Sequence, residues 1–226
     1  MTPSLTVIYY TCNKEDPAFE ANIRTALLAS IGDLPLISVS QRPIDFGTNI
    51  CVGEVGVSGQ NAIRQFQIGA QEAKTRYVCS AEADFLYPAE RFQFVPESEH
   101  VFYGVTNWYV VWLLSRHTRC ASKKTTSPFG PITTGRDLMI RAVDLHLASQ
   151  GSLWSDPEAT GHRLPNFYEP APVHPLHTET PLVTFKTEQN MHRKTAHLRS
   201  QSYDTIPGWG PVRALIDQYC GNGHGN

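Results

Sequence analysis

The sequence predicts an α/β domain with a mixed, mainly parallel central sheet flanked by helices, and three observations carry this prediction. Residues 5–80 alternate strand, helix, strand, helix and strand, the pattern of parallel strands joined by crossover helices. The polar loops of this stretch follow its strands directly. The 226 residues are 41% hydrophobic and 18% charged, which is enough apolar material to bury a substantial core.

Side-chain patterns place the elements of the first half. Residues 5–10 are β-branched and aromatic, as is typical of a strand. Residues 19–30 repeat apolar side chains at helical spacing, and Pro17 suits the first turn of that helix. The same reasoning predicts a strand at 34–39, a polar loop at 41–59, a helix at 60–74 capped by Ser58 or Gly59, and a short buried strand at 77–80.

The second half is less regular. The predicted elements are one or two strands within 101–114, a helix at 136–148, a short strand at 182–185, a helix at 211–219 and a frayed tail at 221–226. Six prolines between 155 and 181 predict a long irregular segment. No linker composition separates the two halves, so we expect a single domain over residues 1–226.

Charge and cysteine content exclude several classes of protein. The 19 basic and 21 acidic residues give a net charge of −2, so nucleic acid would bind only through a local patch. Five cysteines without CxxC spacing argue against a disulfide framework or a cysteine zinc site and fit a reducing cytosol. The longest apolar run, 101–114, is too short and too polar to span a bilayer, and no signal peptide is visible. We therefore expect a cytoplasmic protein with no membrane partner.

The loops that follow the strands indicate where a ligand would bind. In open α/β sheets, ligands bind at the carboxyl ends of the strands. The loops at 11–17, 41–59 and 81–88 each follow a predicted strand. We therefore expect these three loops to line one crevice.

The sharpest chemical signal in these loops is a pair of acidic residues, Glu82 and Asp84. They follow an apolar strand, and in an extended backbone positions i and i+2 point the same way, so both can face the crevice. Carboxylates at a strand end suit hard cations such as Mg²⁺ or Mn²⁺, which can neutralise a diphosphate leaving group. The alternative is a solvated acidic turn without function.

The ordered combination of these motifs resembles the GT-A glycosyltransferases, close to the family-two type. The resemblance rests on a TCN loop after the first strand, SVSQRP at the end of the second strand and YVCSAEADFLYP at the third. It covers residues 5–90 and 130–215 and implies a Rossmann-like GT-A fold. Residues 1–90 would then form the nucleotide-binding half, and residues 91–226 the acceptor half, with a metal- and phosphate-binding loop near the C-terminus.

The resemblance implies roles for the acidic pair and for the loops beside it. Asp84 matches the metal ligand of the family's DxD-like motif, with Mn²⁺ or Mg²⁺ as the cofactor. Glu82 replaces the first Asp of that motif and would face the sugar or ribose. The other positions that match nucleotide-sugar contacts are Thr11, Asn13, Gln41, Arg42, Asn61 and Arg64.

The resemblance also implies a general base and a second metal ligand in the second half. Asp137 matches the acidic general base of inverting enzymes, with Asp144 as a weaker candidate. His192 is the candidate metal ligand on a late loop, with His197 as the alternative. The basic residues expected to bind phosphate are Lys194, Arg193 and Lys186.

Two further clusters have alternative interpretations. The segment 116–141 carries six basic residues against one acidic residue, which indicates either a solvated face or a contact with the phosphates of a polymeric acceptor. The aromatic side chains of Tyr103, Trp108, Tyr109 and Trp112 are typical of a core but could stack on a sugar or base. A zinc site formed by His174, His177, His192 and His197 is a looser possibility.

The function implied is a metal-dependent glycosyltransferase that moves a hexosyl or pentosyl group from a nucleotide sugar, expected to be a UDP-sugar, to an acceptor hydroxyl. The small size resembles phage enzymes, which suggests hydroxymethylated pyrimidines in double-stranded DNA as the acceptor and the host cytoplasm as the location. A glycan or lipopolysaccharide is the alternative acceptor. Sugar nucleotidyl transfer and a catalytically silent nucleotide-binding module are the rival functions, although the glycine-rich GxGxR-type loop of nucleotidyltransferases is absent.

Overall fold

A computed structural model describes residues 4–114, 117–124, 130–148, 154, 171–187, 189–190 and 202–221, with only the backbone described at 114 and 117–124. The strands are β1 Leu5–Thr11, β2 Leu36–Ser40, β3 Thr48–Cys51, β4 Tyr77–Glu82, β5 Phe85–Leu86, β6 Phe102–Val105, β7 Asn107–Leu114, β8 His117–Lys124, β9 Ile132–Gly135, β10 Val173–Leu176, β11 Leu182–Lys186, β12 Thr205–Ile206 and β13 Gly210–Pro211. The helices are α1 Pro17–Ile31, α2 Gly59–Glu72, α3 Glu90–Gln93, α4 Arg136–Ala148 and α5 Val212–Cys220.

A seven-stranded sheet in the order β10-β6-β9-β4-β1-β2-β3 forms the centre of the molecule. Strands β1, β2, β3 and β4 run parallel to one another, and β10 runs parallel to β6. Strand β9 is antiparallel to both of its neighbours, β4 and β6. The predicted α/β class with a mixed, mainly parallel sheet flanked by helices is therefore confirmed.

A second sheet, in the order β5-β11-β7-β8, lies beyond the carboxyl end of β4. Strand β11 pairs antiparallel with β5 and parallel with β7. Because β5 begins directly after the acidic pair, this pairing brings residues 182–186 beside residues 84–86, although about a hundred residues separate them in the chain.

The first two crossover helices begin at caps that the sequence encodes locally. Asp16 accepts hydrogen bonds from the backbone N–H groups of residues 18 and 19, and Pro17 occupies the first turn of α1. Ser58 accepts from the N–H of Asn61 at the start of α2. These caps confirm the predicted beginnings of both helices to within two residues.

Both faces of the central sheet are buried. In β1, Val7 and Tyr9 pack in the hydrophobic cluster that includes the end of α1, whereas Ile8 packs in a second cluster with α2 and α4. A third cluster joins α1, α5 and β11. Alternation within each strand therefore supplies apolar side chains to both layers of helices, as parallel sheets require.

The structure corrects two predicted irregular segments. The predicted loop at 41–59 contains β3, which adds to the sheet edge, and the proline-rich segment at 155–181 contains β10. Residues 155–170 of that segment lie outside the described part. Both strands are short and mostly exposed, with Pro175 in one of them, so the hydrophobic alternation that would predict a strand is missing.

The aromatic cluster is part of the core rather than a stacking surface. Tyr103, Trp108 and Trp112 are buried, and Tyr109 is half-buried with its ring edge against Tyr203. The Trp108 ring of β7 stacks on Phe85, the first residue of β5, so this contact lies within the second sheet. Over the described ranges, no helix is both long enough and apolar enough to cross a membrane.

Candidate functional site

The carboxyl ends of β1, β2 and β4 lie side by side at one edge of the central sheet. Residues Thr11, Ser40 and Glu82 end these strands, and the pairings place Thr11 opposite Ser40 and Tyr10 opposite Glu82. The three loops that follow therefore share one edge of the sheet, where α/β proteins bind ligands.

Asn13 joins the loops that follow β1 and β2. Its backbone has φ 54°, a left-handed conformation that Asn tolerates better than most residues. Its side-chain Oδ1 accepts from the N–H of Gln41 at 2.9 Å and from the N–H of Arg42 at 2.8 Å. Its own N–H donates to Thr11 Oγ1 at 2.9 Å. Thr11, Asn13, Gln41 and Arg42, which the sequence grouped as nucleotide contacts, are therefore neighbours in space.

Gln41 and Asn61 fold the 53–58 loop onto this edge. The Gln41 carboxamide donates to the carbonyl of Gly56 at 2.6 Å and accepts from the N–H groups of Val55 and Gly56. Asn61 donates to the carbonyls of the same two residues. Because both carboxamides are buried and satisfied by backbone, their observed role is to shape the loop.

Gln65 is a positioning residue that the sequence reasoning missed. It is buried on α2, and its Nε2 donates to the carbonyls of Thr11 at 3.0 Å and Val39 at 2.9 Å. One carboxamide thus holds the ends of β1 and β2 together. A glutamine on a helix face carries no local signal of such a bridge, so only the packing of α2 on the sheet reveals it.

Asp84 is buried and held in an ion pair with Lys186. Lys186 Nζ lies 2.7 Å from Asp84 Oδ2, and the two side chains are 17% and 10% exposed, respectively. The same oxygen accepts from Asn190 Nδ2 at 3.0 Å and from Thr184 Oγ1 at 3.2 Å. This geometry rules out the solvated acidic turn as a description of Asp84.

Glu82 is half-buried between the ends of β1 and β4. Its backbone N–H donates to the Tyr87 hydroxyl at 2.8 Å, and its side chain is hydrogen-bonded by Tyr10. Burial, reinforced by the negative charge of Asp84, raises the pKa of Glu82 to about 7, while Lys186 opposes the rise. A carboxyl with this pKa exchanges protons near neutral pH.

Glu15 is a third acidic side chain at this site, and sequence reasoning did not single it out. Its Oε2 accepts from Thr187 Oγ1 at 2.9 Å, which connects the loop after β1 to the loop after β11. Burial raises the pKa of Glu15, and the nearby Asp84 charge adds to the rise. The position of Glu15 in the predicted crevice loop was the signal that could have identified it.

A buried cation lies below the acidic pair. Arg91 is 1% exposed, and its Nη2 donates to the carbonyls of Ser80 at 3.0 Å and Ile132 at 3.3 Å. Its guanidinium also lies over the rings of Tyr87 and Phe92. The positive charge of Arg91 opposes the rise in the pKa of Glu82. Arg91 therefore stabilises both the backbone at the carboxyl end of β4 and the Glu82 carboxylate, from the side of the hydrophobic core.

The expected divalent metal has one of its predicted ligands, Asp84, among the described residues. Within the described ranges, no group of three His, Cys, Asp or Glu residues has a geometry that could hold a metal ion, and Oδ2 of Asp84 already accepts three hydrogen bonds. The second expected ligand, His192, and its alternative, His197, lie outside the described residues, as do Arg193 and Lys194. A metal held by Asp84 and His192 therefore stays a prediction.

The structure separates the expected general base from the acidic pair. Asp137 follows β9, whose antiparallel pairing places Gly135 opposite Tyr77, at the amino end of β4. Glu82 lies five positions after Tyr77 in β4, a distance of about 16 Å along the strand. Asp137 is exposed and pairs with Arg136 at 2.9 Å. Asp137 and Asp84 therefore lie at opposite edges of the sheet, and this separation argues against Asp137 as the base.

Three other expected side chains contact protein groups instead of lying free at the site. Arg64 donates to Gln67 on the same helix, and Gln67 in turn donates to Asp144 on α4 at 2.6 Å. Asp144 thus lies in the contact between α2 and α4. Arg42 is exposed and pairs with Glu54 at 3.0 Å, so it lies at the rim of the edge formed by the loops.

The basic segment at 116–141 is divided between the two edges of the sheet. Arg136 and Arg141 belong to α4, beyond the amino end of β4. The backbone of Lys123 and Lys124 lies beside residues 107–108, where β7 begins. The segment therefore does not form one continuous basic surface beside the acidic pair.

Comparisons with known proteins show the fold. No family model matches this sequence, and no curated protein matches it significantly. The inositol-1-phosphate CTP transferase of T. maritima aligns with a TM-score of 0.50 and 9% identity, over 88% of this chain and 96% of that chain. A glycosyltransferase involved in glycosylation of the major capsid of PBCV-1 aligns with a TM-score of 0.47 and 11% identity, over 88% of this chain and 100% of that one. Residues 1–349 of S. aureus TarS align with a TM-score of 0.48 and 12% identity, over 81% of this chain and 60% of that one.

Proposed function

We propose that this protein transfers a glycosyl group from a nucleotide sugar to an acceptor hydroxyl. One observation carries the proposal: the half-buried Glu82, which ends the central strand β4, and the buried Asp84 just after it lie on the same sheet edge as the loops joined by Asn13 and Gln41. The fold likeness to a CTP transferase, at a TM-score of 0.50, supports a nucleotide as the group bound at this edge.

The proposed chemistry assigns each part of this edge a task. The nucleoside would lie against the loops after β1 and β2, and its diphosphate would extend toward Asp84 and Lys186. The bond between the anomeric carbon and the diphosphate oxygen breaks with its electron pair going to the diphosphate, while the acceptor oxygen bonds to the anomeric carbon. Glu82, with a pKa of about 7, takes the proton of the acceptor hydroxyl.

The acceptor proposed first is a hydroxymethylated pyrimidine in double-stranded DNA. The backbone of Lys123 and Lys124 lies beside the start of β7, which directly follows the carboxyl end of β6 on the site edge. Lysines there would approach phosphates. A glycan or lipopolysaccharide acceptor is the alternative, because Arg136 and Arg141, on the opposite edge, do not contribute to such a surface.

Nucleotidyl transfer is the second candidate function, favoured by the structural likeness to the CTP transferase. The two reactions release different products. Glycosyl transfer releases a nucleoside diphosphate, whereas nucleotidyl transfer from CTP or UTP to a sugar phosphate releases pyrophosphate. The loop after β1 supplies Thr11, Cys12 and Asn13 rather than a glycine-rich turn, and this favours glycosyl transfer.

A donor panel tests the proposal. The full chain is incubated with UDP-, GDP-, CDP- and dTDP-sugars, with and without Mn²⁺ or Mg²⁺, and with either hydroxymethylated duplex DNA or an oligosaccharide. Release of a nucleoside diphosphate that depends on one acceptor, and is lost in Asp84→Asn, supports glycosyl transfer. Pyrophosphate release from CTP or UTP supports the second function. Binding of a nucleotide sugar without turnover under any condition supports a binding module and refutes both transferase functions.

A further inference from the structure

Lys186 is delivered to Asp84 by the backbone of the second sheet. The N–H of Phe185 donates to the carbonyl of Asp84 at 2.8 Å, and β11 pairs with β5 on the next residues. These backbone contacts fix the register of β11 relative to residues 84–86. Lys186 is the last residue of β11 and therefore lies beside Asp84. Backbone pairing therefore fixes the position of Lys186 beside a buried carboxylate, which distinguishes this ion pair from one formed by two flexible side chains at the surface.

The ion pair occupies one oxygen of the Asp84 carboxylate. Oδ2 accepts from Lys186, Asn190 and Thr184, so that oxygen has its full complement of donors. Glu82 and Glu15 also lie close enough to interact electrostatically with this ammonium. The chain itself therefore places one positive charge among these acidic side chains.

The ammonium keeps donors for a ligand. An ammonium has three N–H donors, and Asp84 Oδ2 is its one hydrogen-bond acceptor among the residues described here. The ion pair with Asp84 at 2.7 Å stabilises the charged form of this ammonium. The Lys186 side chain is 17% exposed, so a ligand in solution can reach it.

We infer that Lys186 is the resident cation of this site: its ammonium, oriented by Asp84, binds the diphosphate of the nucleotide directly, so that nucleotide binding requires no divalent metal. This inference rests on the proposed function and replaces the expected metal at Asp84 with a side chain. Asp84 then acts as a positioning residue. The positive charge of Lys186 offsets the negative charge that develops on the departing diphosphate.

The experiment measures binding of nucleoside diphosphates by calorimetry on the full chain, with UDP, CDP, GDP and dTDP as probes, in EDTA and in Mn²⁺. We expect at least one probe to bind wild type with affinities in the two conditions that agree within about threefold. Lys186→Met should weaken that binding by about tenfold or more in both conditions, because a charge-assisted bond to phosphate is lost. Lys186→Arg should retain part of it. Lys74→Met, at an exposed position just after α2, is the matched control and should bind like wild type.

Each other outcome has a definite meaning. Wild-type binding that falls tenfold or more in EDTA overturns the inference and restores the metal, while leaving the proposed function intact. Equal binding by a folded Lys186→Met variant also overturns the inference. If that variant does not fold, the comparison of EDTA and Mn²⁺ on wild type still decides. Failure of every probe to bind in either condition overturns the proposed function together with the inference.

Discussion

The Asn13 side chain makes a quantitative prediction about how the loops after β1 and β2 are held together. Its Oδ1 accepts two backbone hydrogen bonds, one of them half-buried and one exposed, and its φ is 54°. We expect Asn13→Ala to lose about 1.5 kcal/mol from these two bonds. A left-handed alanine costs a further ~1 kcal/mol. The free energy of unfolding should therefore fall by about 2.5 kcal/mol.

Two matched variants separate the contributions. Asn13→Asp keeps an oxygen acceptor and tolerates the same backbone conformation, so its loss should stay below about 1 kcal/mol. Asn13→Gly keeps the conformation but loses both bonds and gains freedom in the unfolded chain, so it should lose about 1.5 kcal/mol.

Thermal unfolding followed by circular dichroism measures all three variants. At roughly 2–4 °C per kcal/mol for a chain of this size, Asn13→Ala should lower Tm by roughly 5–10 °C, and Asn13→Asp should stay within roughly 3 °C of wild type. If Asn13→Ala unfolds within 2 °C of wild type, the carboxamide does not brace the two loops, and the proposed nucleotide wall loses its support.

Three further predictions follow from single contacts. The folded-state pKa of Glu82 is raised to about 7, so ionisation of this side chain lowers the stability of the protein as the pH rises from about 4.5 to 7. Glu82→Gln should therefore stabilise the protein by on the order of 2 kcal/mol at pH 8 and by much less at pH 4.5. Urea unfolding at the two pH values measures this gain, and a gain that does not change with pH would contradict the prediction. Gln65→Met should leave two strand-end carbonyls unpaired and lower the free energy of unfolding by about 2–4 kcal/mol, measured by urea unfolding. An unchanged urea midpoint would show that Gln65 does not hold β1 and β2 together. Gly69→Ala should place its Cβ against the Ile8 side chain and cost about 1–3 kcal/mol by thermal unfolding, whereas a stabilised variant would show that α2 can move away from the sheet.

Local chemistry made much of the fold predictable. The caps at Asp16 and Ser58, the helical spacing of α1 and α2 and the β-branched run of β1 are properties of neighbouring residues, so the sequence alone indicates them. The position of Glu82 and Asp84 at a strand end was predictable for the same reason. Strand β3 was not predicted, because its exposed edge position lacks a hydrophobic pattern.

The order of strands and helices, and the edge at which their loops gather, can be predicted from the residues alone, because both follow from local periodicity and from the geometry of crossover connections. Which distant side chains meet depends instead on how the folded chain packs. This packing set Lys186 on Asp84 across 102 positions of the chain and turned β9 antiparallel, which carried Asp137 to the far edge. The direction in which a strand joins a sheet depends on long-range backbone pairing, and no short stretch of residues encodes it.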